Sequence, residues 1–522
     1  MIITKGSIVY LYNNVPLTKD YTDTMYFASL SAQTSAFASL SHLNVSNYSY
    51  VGPGENTFRV DCSANTNENL YTYNYIAFQN TTFGGKWWYA FIDSVRYINN
   101  SCYEISYTID VFQSFMFEVD WTTQVFVERE HSVLDEIFTS FTDENIDTGE
   151  YQYWNQTDMI NPKNPEIVVA SSVDSNNDDV KGSLYGNIYS GLAYNVFSTT
   201  DFADVNAFLS GLTDNNKSSA VVAIFMAYAP FFNSSDGSTA ALTREVGITV
   251  RTDTIDNYQP RNKKLFNYPY NFLYITNGSG NSMNVEPQYC ELNENGQQEF
   301  LLVGETSCNP TITLYPLGYK GTESGTANFN EKMTLTGFPQ CAYTIDSFRA
   351  WLAQNSGTTA MQIVGGVGSI AGGIATTALS GGLASSVGAG MIATGAMSIG
   401  SSMIEIGVQS ARPPQASGNS GSGGMFAQGL LTFMVYQCQI TRERAMIIDS
   451  YFDKKGYAVK RVKQANRSSR PHWNYVETRE ADYHGAVPSE YLEQINTAMN
   501  HGVTFWKNFS DVGNYSLLNE PT

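Results

Sequence analysis

A mainly β protein with some helix (α+β) is the fold class this sequence predicts, and three observations carry the prediction. Charged residues make up only 15% of the 522-residue chain while Tyr (34) and Phe (29) are abundant, a balance suited to half-buried pleated surfaces. Tyr103, Ile105, Tyr107, Ile109 and Val111 alternate with Glu104, Ser106, Thr108 and Asp110, the period-two pattern of an antiparallel strand with one buried and one wet face. Thr123 to Glu128 alternates in the same way, and further on short strand-like runs are separated by clusters of Asn, Asp, Gly and Ser.

In chain order, residues 1–135 read as an N-terminal β domain and residues 136–343 as a loop-rich insertion, with turn clusters at Asp174 to Asp179 and Asn277 to Asn281. Thr344 to Asn355 then places Ile345, Phe348, Trp351 and Leu352 at helical spacing. Residues 344–425 form a third division: that helix, a long apolar loop and a Gly/Ser hinge. In the final division, residues 426–522, Thr441 to Lys455 predicts a helix with Ala445, Ile448, Tyr451 and Phe452 on one face. Lys454 and Lys455 complement its C-terminal dipole and Gly456 stops it. Ser489 to Gly502 predicts another, with Leu492, Ile495 and Met499 inward.

The most unusual stretch runs from Ala350 to Ile404 and contains no Asp, Glu, Lys, Arg or His. It is too apolar for a solvated linker, and its many glycines make fixing it as one core element costly in backbone entropy. Two half-spans of about 20 residues fit within it, Ala360 to Ala378 and Leu383 to Met403, with Ser380, Gly381 and Gly382 as the turn. The side chains that would face lipid are Ile363, Val364, Val367, Ile370, Ile374 and Leu379, followed by Leu383, Val387, Met391, Ile392, Met397, Ile399 and Met403. Each strong aliphatic contributes only about 0.3–0.6 kcal/mol to insertion, and Gly, Ser and Thr subtract from that. The expectation is a hairpin that enters lipid when delivered in several copies; packing inside a protein assembly is the alternative, and both hold if they belong to different states. Gly357 on one side and Pro413, Pro414, Gly418, Gly421, Gly423 and Gly424 on the other supply the hinges.

The net charge of −20 argues against nonspecific attraction to nucleic acid. Six scattered cysteines without CxxC pairing argue against a zinc site or a disulfide framework and suggest a reducing site of synthesis. The first residues lack the basic-then-apolar layout of a secretory signal. Gly366 to Ala371 and Gly388 to Ala393 match a dinucleotide fingerprint, but such a site needs a preceding strand and an acid about 20 residues on. The first acid after either match is Glu405, and a Gly-rich segment generates such matches freely, so no cofactor is expected. Five separated histidines suggest no metal site. Glu128-Arg129-Glu130-His131, the densest ionisable cluster, reads as a salt-bridged strand end or subunit contact rather than a catalytic set. The basic run Arg442 to Arg479 reverses the sign of the chain, and contact with an acidic surface on a neighbouring protomer is favoured over contact with DNA phosphate.

Several motifs resemble the distal tail tube, or tail knob, proteins of phi29-like short-tailed bacteriophages. Near the N-terminus these are Tyr75-Ile76-Ala77-Phe78-Gln79-Asn80, Lys86-Trp87-Trp88-Tyr89-Ala90-Phe91, Ile109-Asp110-Val111-Phe112-Gln113 and Val127-Glu128-Arg129-Glu130-His131. Near the C-terminus, Gly456-Tyr457 through Arg461-Val462-Lys463, Asn474-Tyr475-Val476 and Val512-Gly513-Asn514-Tyr515-Ser516 match in order. The resemblance covers roughly 130 residues at one end and 90 at the other. It implies a non-enzymatic homo-oligomer, a hexamer, at the virion tail tip, assembled in the host cytoplasm and contacting other tail proteins. The end domains would build a tube that phage DNA traverses without specific binding, and residues 136–343 the knob. Apolar loops would plug the lumen and then enter the host cell membrane. The competing classes are a tail-associated envelope-degrading hydrolase, which needs facing carboxylates in an aromatic cleft, and a receptor-binding tail protein.

Overall fold

The computed structural model describes residues 7–336 and 432–521, apart from short interruptions that include 62–68, 160–164, 199–202, 229–237, 240–242 and 306–310. Among the described residues strands dominate and helices are few and short, in keeping with the β-rich composition. Two compact units divide the chain: one takes residues Met1–Ile146, Arg261–Lys264 and Ile447–Thr522, the other Asp147–Pro260 and Leu265–Met446.

The first unit holds a six-stranded antiparallel sheet in the order His42–Tyr48, Ser7–Asn13, Tyr73–Asn80, Trp87–Asn99, Cys102–Ile109, Thr57–Asp61. Cross-strand register puts Leu11, Ile76, Ala90 and Ile109 in one row, all of them buried. The neighbouring row, Tyr12, Tyr75 and Phe91, points to the other face. Helix Leu30–Ser39 covers that second face with Phe37, whose ring lies 5.8 Å from Tyr75 and 4.3 Å from Tyr89. Ser29 caps this helix by accepting from the Ala32 N–H.

The alternating stretch forms the strand Cys102–Ile109 with Ile105, Tyr107 and Ile109 inward. Its end departs from the sequence pattern. Asp110, expected on the wet face, is fully buried, and Val111, expected to continue the strand, begins the helix Val111–Phe115. The reason is capping: one Asp110 oxygen accepts from the Gln113 N–H at 3.0 Å and the other from the Tyr75 hydroxyl at 2.8 Å. Burial pushes the Asp110 carboxyl up to about 6 despite these donors. Gln113, buried beside it, donates to the Met25 carbonyl and the Thr24 hydroxyl, fixing the adjoining segment.

A second sheet of this unit joins the two ends of the chain, in the order Asp23–Met25, Val503–Trp506, Trp473–Arg479, Val125–Glu130, Tyr457–Lys463. The N-terminal strand Val125–Glu130 lies between two C-terminal ones. Helix Ser489–His501 packs with Ile495 and Met499 buried and Leu492 at the margin. Helix Arg442–Lys455 buries Ala445, Ile448 and Phe452, while Tyr451 of the expected apolar face is 39% exposed, its ring lying 4.8 Å from the Arg129 guanidinium. Gly456 follows at φ 61°, and a Cβ there would collide with the Glu130 carbonyl, so the glycine serves both the turn and the close approach of the strand.

The second unit contains three four-stranded sheets around one core. The first runs Tyr151–Asp158, Met434–Ile440, Asn271–Thr276, Ser282–Val285. The second is ordered Val221–Tyr228, Pro165–Ser171, Ala193–Ser198, Ser238–Thr239, and the third Thr243–Thr249, Gln297–Glu305, Thr311–Pro316, Met333–Leu335. Helix Ala203–Asp214 contributes Val205, Leu209 and Leu212 to the core at helical spacing. No described helix is long and apolar enough to cross a membrane.

Candidate anchor of the apolar segment

Every lipid-facing residue named above, Ile363 to Met403, lies outside the described residues. So do the hinge residues Gly357, Pro413, Pro414, Gly418, Gly421, Gly423 and Gly424, and the expected helix Thr344 to Asn355. What the structure defines are the two stalks, the strands Met333–Leu335 and Met434–Ile440.

Met333–Leu335 closes the edge of its sheet by pairing with Thr311–Pro316, Leu335 opposite Ile312 and Met333 opposite Leu314. Its side chains Met333 and Leu335 are buried in the same apolar cluster as Phe433 and Val435 of the returning chain. Each such side chain contributes about 1.5–3 kcal/mol on full burial. The stalks are also bonded through one intermediary. Asn277, the residue after the strand Asn271–Thr276, donates from Nδ2 to the Thr334 carbonyl at 2.9 Å, and its neighbour Thr276 stands opposite Met434. Chain departing after Leu335 and chain returning before Phe433 therefore meet at one end of the strand Asn271–Thr276.

All seven residues of Met434–Ile440 are buried, since strands pair with it on both sides and its two faces are both covered. On one face Val435 joins the core and is followed by Gln437 and Gln439, both fully buried. Gln437 donates to the Asn271 side-chain oxygen at 2.7 Å and Gln439 to the same atom at 3.0 Å. Gln439 also donates to the Thr254 carbonyl at 2.8 Å and accepts from the Asp256 N–H at 3.2 Å. Asn271 in turn donates to the Arg251 and Phe266 carbonyls. A one-residue slip would put these amides in the places of Tyr436 and Cys438, against Phe272, Tyr151 and Tyr274, leaving them unpaired at a cost of about 1–3 kcal/mol each. The network locks the register of the strand that receives the segment. Sequence reasoning passed over it, although Gln437 and Gln439 alternating with Tyr436, Cys438 and Ile440 is a visible period-two signal.

Of the ionisable cluster singled out in the sequence, Arg129, Glu130 and His131 are engaged structurally. Glu130 accepts from Lys463 and from the Asn466 N–H at 2.7 Å, and Arg129 pairs with Glu144 at 2.6 Å. His131 accepts at Nδ1 from the Tyr475 N–H at 2.7 Å, leaving Nε2 to donate to the Asp453 carbonyl at 3.1 Å, so its neutral form is the bonded one. Burial, reinforced by Arg470, pushes its pKa down to about 3. Between about 6.5 and 3 the unfolded chain binds a proton here that the folded one does not, so this group withdraws stability as pH falls through that window. Asp110 and Asp453, both raised to about 6 mainly by burial, act in the opposite sense: the folded form takes up their protons first. His131→Gln removes only the histidine contribution. Its destabilisation relative to wild type should shrink as pH drops from neutral to about 4, as read from urea midpoints at successive pH values. A gap independent of pH would contradict the assignment.

Within the basic run, Arg444 pairs with Asp147 at 3.3 Å and Lys463 with Glu130, while Arg470 is buried and donates to the Asn519 and Ser132 carbonyls. Cys102, Cys290 and Cys438 are free, and burial pushes the thiols of Cys290 and Cys438 up, the former to about 12. No cluster of His, Cys, Asp and Glu among the described residues has metal-binding geometry.

Two family models match the chain: the C-terminal domain of tail knob protein gp9 of Bacillus phage phi29 over residues 236–520, and the N-terminus of caudoviral major tail proteins over residues 5–120. Similar proteins include the tail knob protein gp9 of Bacillus phage PZA, 26% identical over 99% of this chain and 98% of the relative. Its counterparts from Bacillus phages phi29 and B103 are 25% and 24% identical with the same coverage. The structure resembles that of the bacteriophage C1 tail knob protein gp12 with a TM-score of 0.62, covering 99% of this chain and all of that one at 13% identity, a likeness of fold.

Proposed function

This chain belongs to the family of the phi29 tail knob protein gp9, structural components of the phage tail, and we propose that it forms a closed, hollow, hexameric ring at the tail tip whose apolar loops act on the host membrane. Residues 1–135 and 426–522 supply the tube, residues 136–343 the outer knob, and residues 344–425 the loop that plugs the lumen before infection and enters lipid at ejection. Its role is structural rather than catalytic, and its partners are further copies of itself, other tail proteins, the host membrane and the DNA in transit. DNA carries one negative charge per about 1.7 Å of axis, so a net acidic tube without specific phosphate contacts lets it slide.

The observation that carries this reading is the meeting of the two stalks. Met333, Leu335, Phe433 and Val435 share one core, and Asn277 bonds across to Thr334, so the charge-free stretch is an excursion from a closed base. Loop-closure entropy grows only logarithmically, about 0.6 kcal/mol per doubling of length, so such a base tolerates wide changes in what it carries. Deleting Ala360 to Met403 should leave folding and ring formation intact and abolish leakage from dye-loaded liposomes. Loss of the fold on deletion would make the segment part of the core instead.

A further inference from the structure

Arg467, in the connection between the strands Tyr457–Lys463 and Trp473–Arg479, stands with its charge unmatched. Its guanidinium carbon lies 4.2 Å from the Trp121 ring centroid, 5.6 Å from Tyr26 and 5.9 Å from Phe505. Among the described residues it makes no hydrogen bond and no ion pair. Glu130, the buried acid of the adjoining strand Val125–Glu130, has both oxygens committed, to Lys463 and to the Asn466 N–H. Tyr483 also rests on Trp121, with ring centroids 5.1 Å apart, and its hydroxyl is buried with no hydrogen-bond partner. Burial lowers the Arg467 pKa to about 10, which leaves it fully charged at neutral pH.

A guanidinium stacked on aromatic rings keeps its N–H groups in plane at the edge, the geometry that receives an oxyanion in a two-pronged contact. An arginine kept for packing alone would be expected to pair with an acid or a carbonyl, as Arg129 and Arg470 of this unit do. We propose that Arg467 in its aromatic cradle is the receptor for an Asp or Glu carboxylate of a second copy of this chain. The assignment to a protein carboxylate follows from charge: with 49 acids against 29 Lys and Arg, other copies are rich in that group, whereas nucleic acid is repelled by the chain as a whole. A contact between two different patches of the same chain is heterologous, the kind that closes rings. The inference rests on the oligomeric reading above and names one residue of its interface.

The test uses the full-length protein. Arg467→Gln should raise the concentration needed for assembly at least tenfold, by mass photometry and sedimentation, with the far-ultraviolet spectrum and Tm of the monomer nearly unchanged. Arg467→Lys supplies an amine that carbodiimide joins to a carboxylate at zero length, and mass spectrometry should then show a cross-link from position 467 to an acid of another copy. Rings that form as readily in Arg467→Gln, with no such cross-link in Arg467→Lys, would overturn the inference and leave the oligomeric reading standing. Wild-type protein that stays monomeric at tens of micromolar would overturn both. Loss of single-stranded DNA binding in Arg467→Gln, with assembly unaffected, would identify a phosphate site and equally overturn it.

Discussion

Glu144→Gln is expected to lower the unfolding free energy of the first unit by about 3–5 kcal/mol, a large loss for a single conservative change. The Glu144 side chain is 1% exposed and faces two cations and a backbone donor: Arg129 Nη1 at 2.6 Å, Lys264 Nζ, and the Ala458 N–H at 2.9 Å. Glutamine matches its shape but brings one neutral oxygen and an amide that points its own hydrogens at a cation. Two buried charges lose their counter-ion at once. Lys264 is 4% exposed at its side chain, and burial already pushes its ammonium down against the pull of Glu144. The same carboxylate joins three distant stretches of sequence, so no local rearrangement compensates. A loss of about 3–5 kcal/mol corresponds to a fall in Tm on the order of 10 °C for a unit of this size. Lys19→Ala is the control. Its pair with Asp93 at 2.8 Å is solvated, with Lys19 56% exposed, and removing it should cost only about 0–1 kcal/mol. Equal, small effects of the two substitutions in calorimetry would show that the buried cations do not depend on the Glu144 carboxylate.

On the proposed membrane reading, the variants Ile370→Lys and Met391→Lys should each release liposome contents only at background level, where the wild type causes leakage. A lysine near the middle of a half-span costs about 2.5–3.5 kcal/mol at the bilayer centre, comparable with the whole drive that the aliphatics of that half supply at about 0.3–0.6 kcal/mol each. In the proposed ring the effect would multiply, because every copy would carry the charge. Assembly in water should survive, since a lysine on a long side chain reaches solvent from a loop. Glu405 bounds the charge-free stretch in the sequence, and on the proposed membrane reading it would lie at headgroup level, so Glu405→Gln should leave leakage unchanged. Leakage by the lysine variants equal to wild type would remove the membrane role and leave the segment as a plug of the lumen alone.

Local periodicity decided much of the secondary structure. The strand Cys102–Ile109, the helices Arg442–Lys455 and Ser489–His501 and the stop at Gly456 all follow from residues within a dozen positions of one another, because alternation and helical spacing are properties of neighbouring side chains. The charge-free stretch is legible for the same reason: it is a matter of composition. Even here context intervenes at the margins. Tyr451 satisfies the helical pattern yet stays 39% exposed beside Arg129, and Asp110 satisfies the strand pattern yet turns inward to cap a helix.

By itself, then, the sequence determines a β-rich chain with a few amphipathic helices, an acidic character and one long uncharged stretch. The tertiary structure alone decides that the described chain before and after that stretch meets at one strand end, and how the chain's ends unite. The clip Arg261–Lys264 shows why. The Arg261 and Asn262 N–H groups donate to the Asp449 carboxylate at 2.9 and 3.0 Å, and Arg261 pairs with Asp453 at 2.6 Å. No pattern within either segment announces the match. Likewise, Asn277 bonding to Thr334 and the amides of Gln437 and Gln439 converging on Asn271 depend on which strands become neighbours. A buried polar group must find a partner wherever the chain brings one, and that choice is made by the packing of the whole unit rather than by the spacing of residues along the chain.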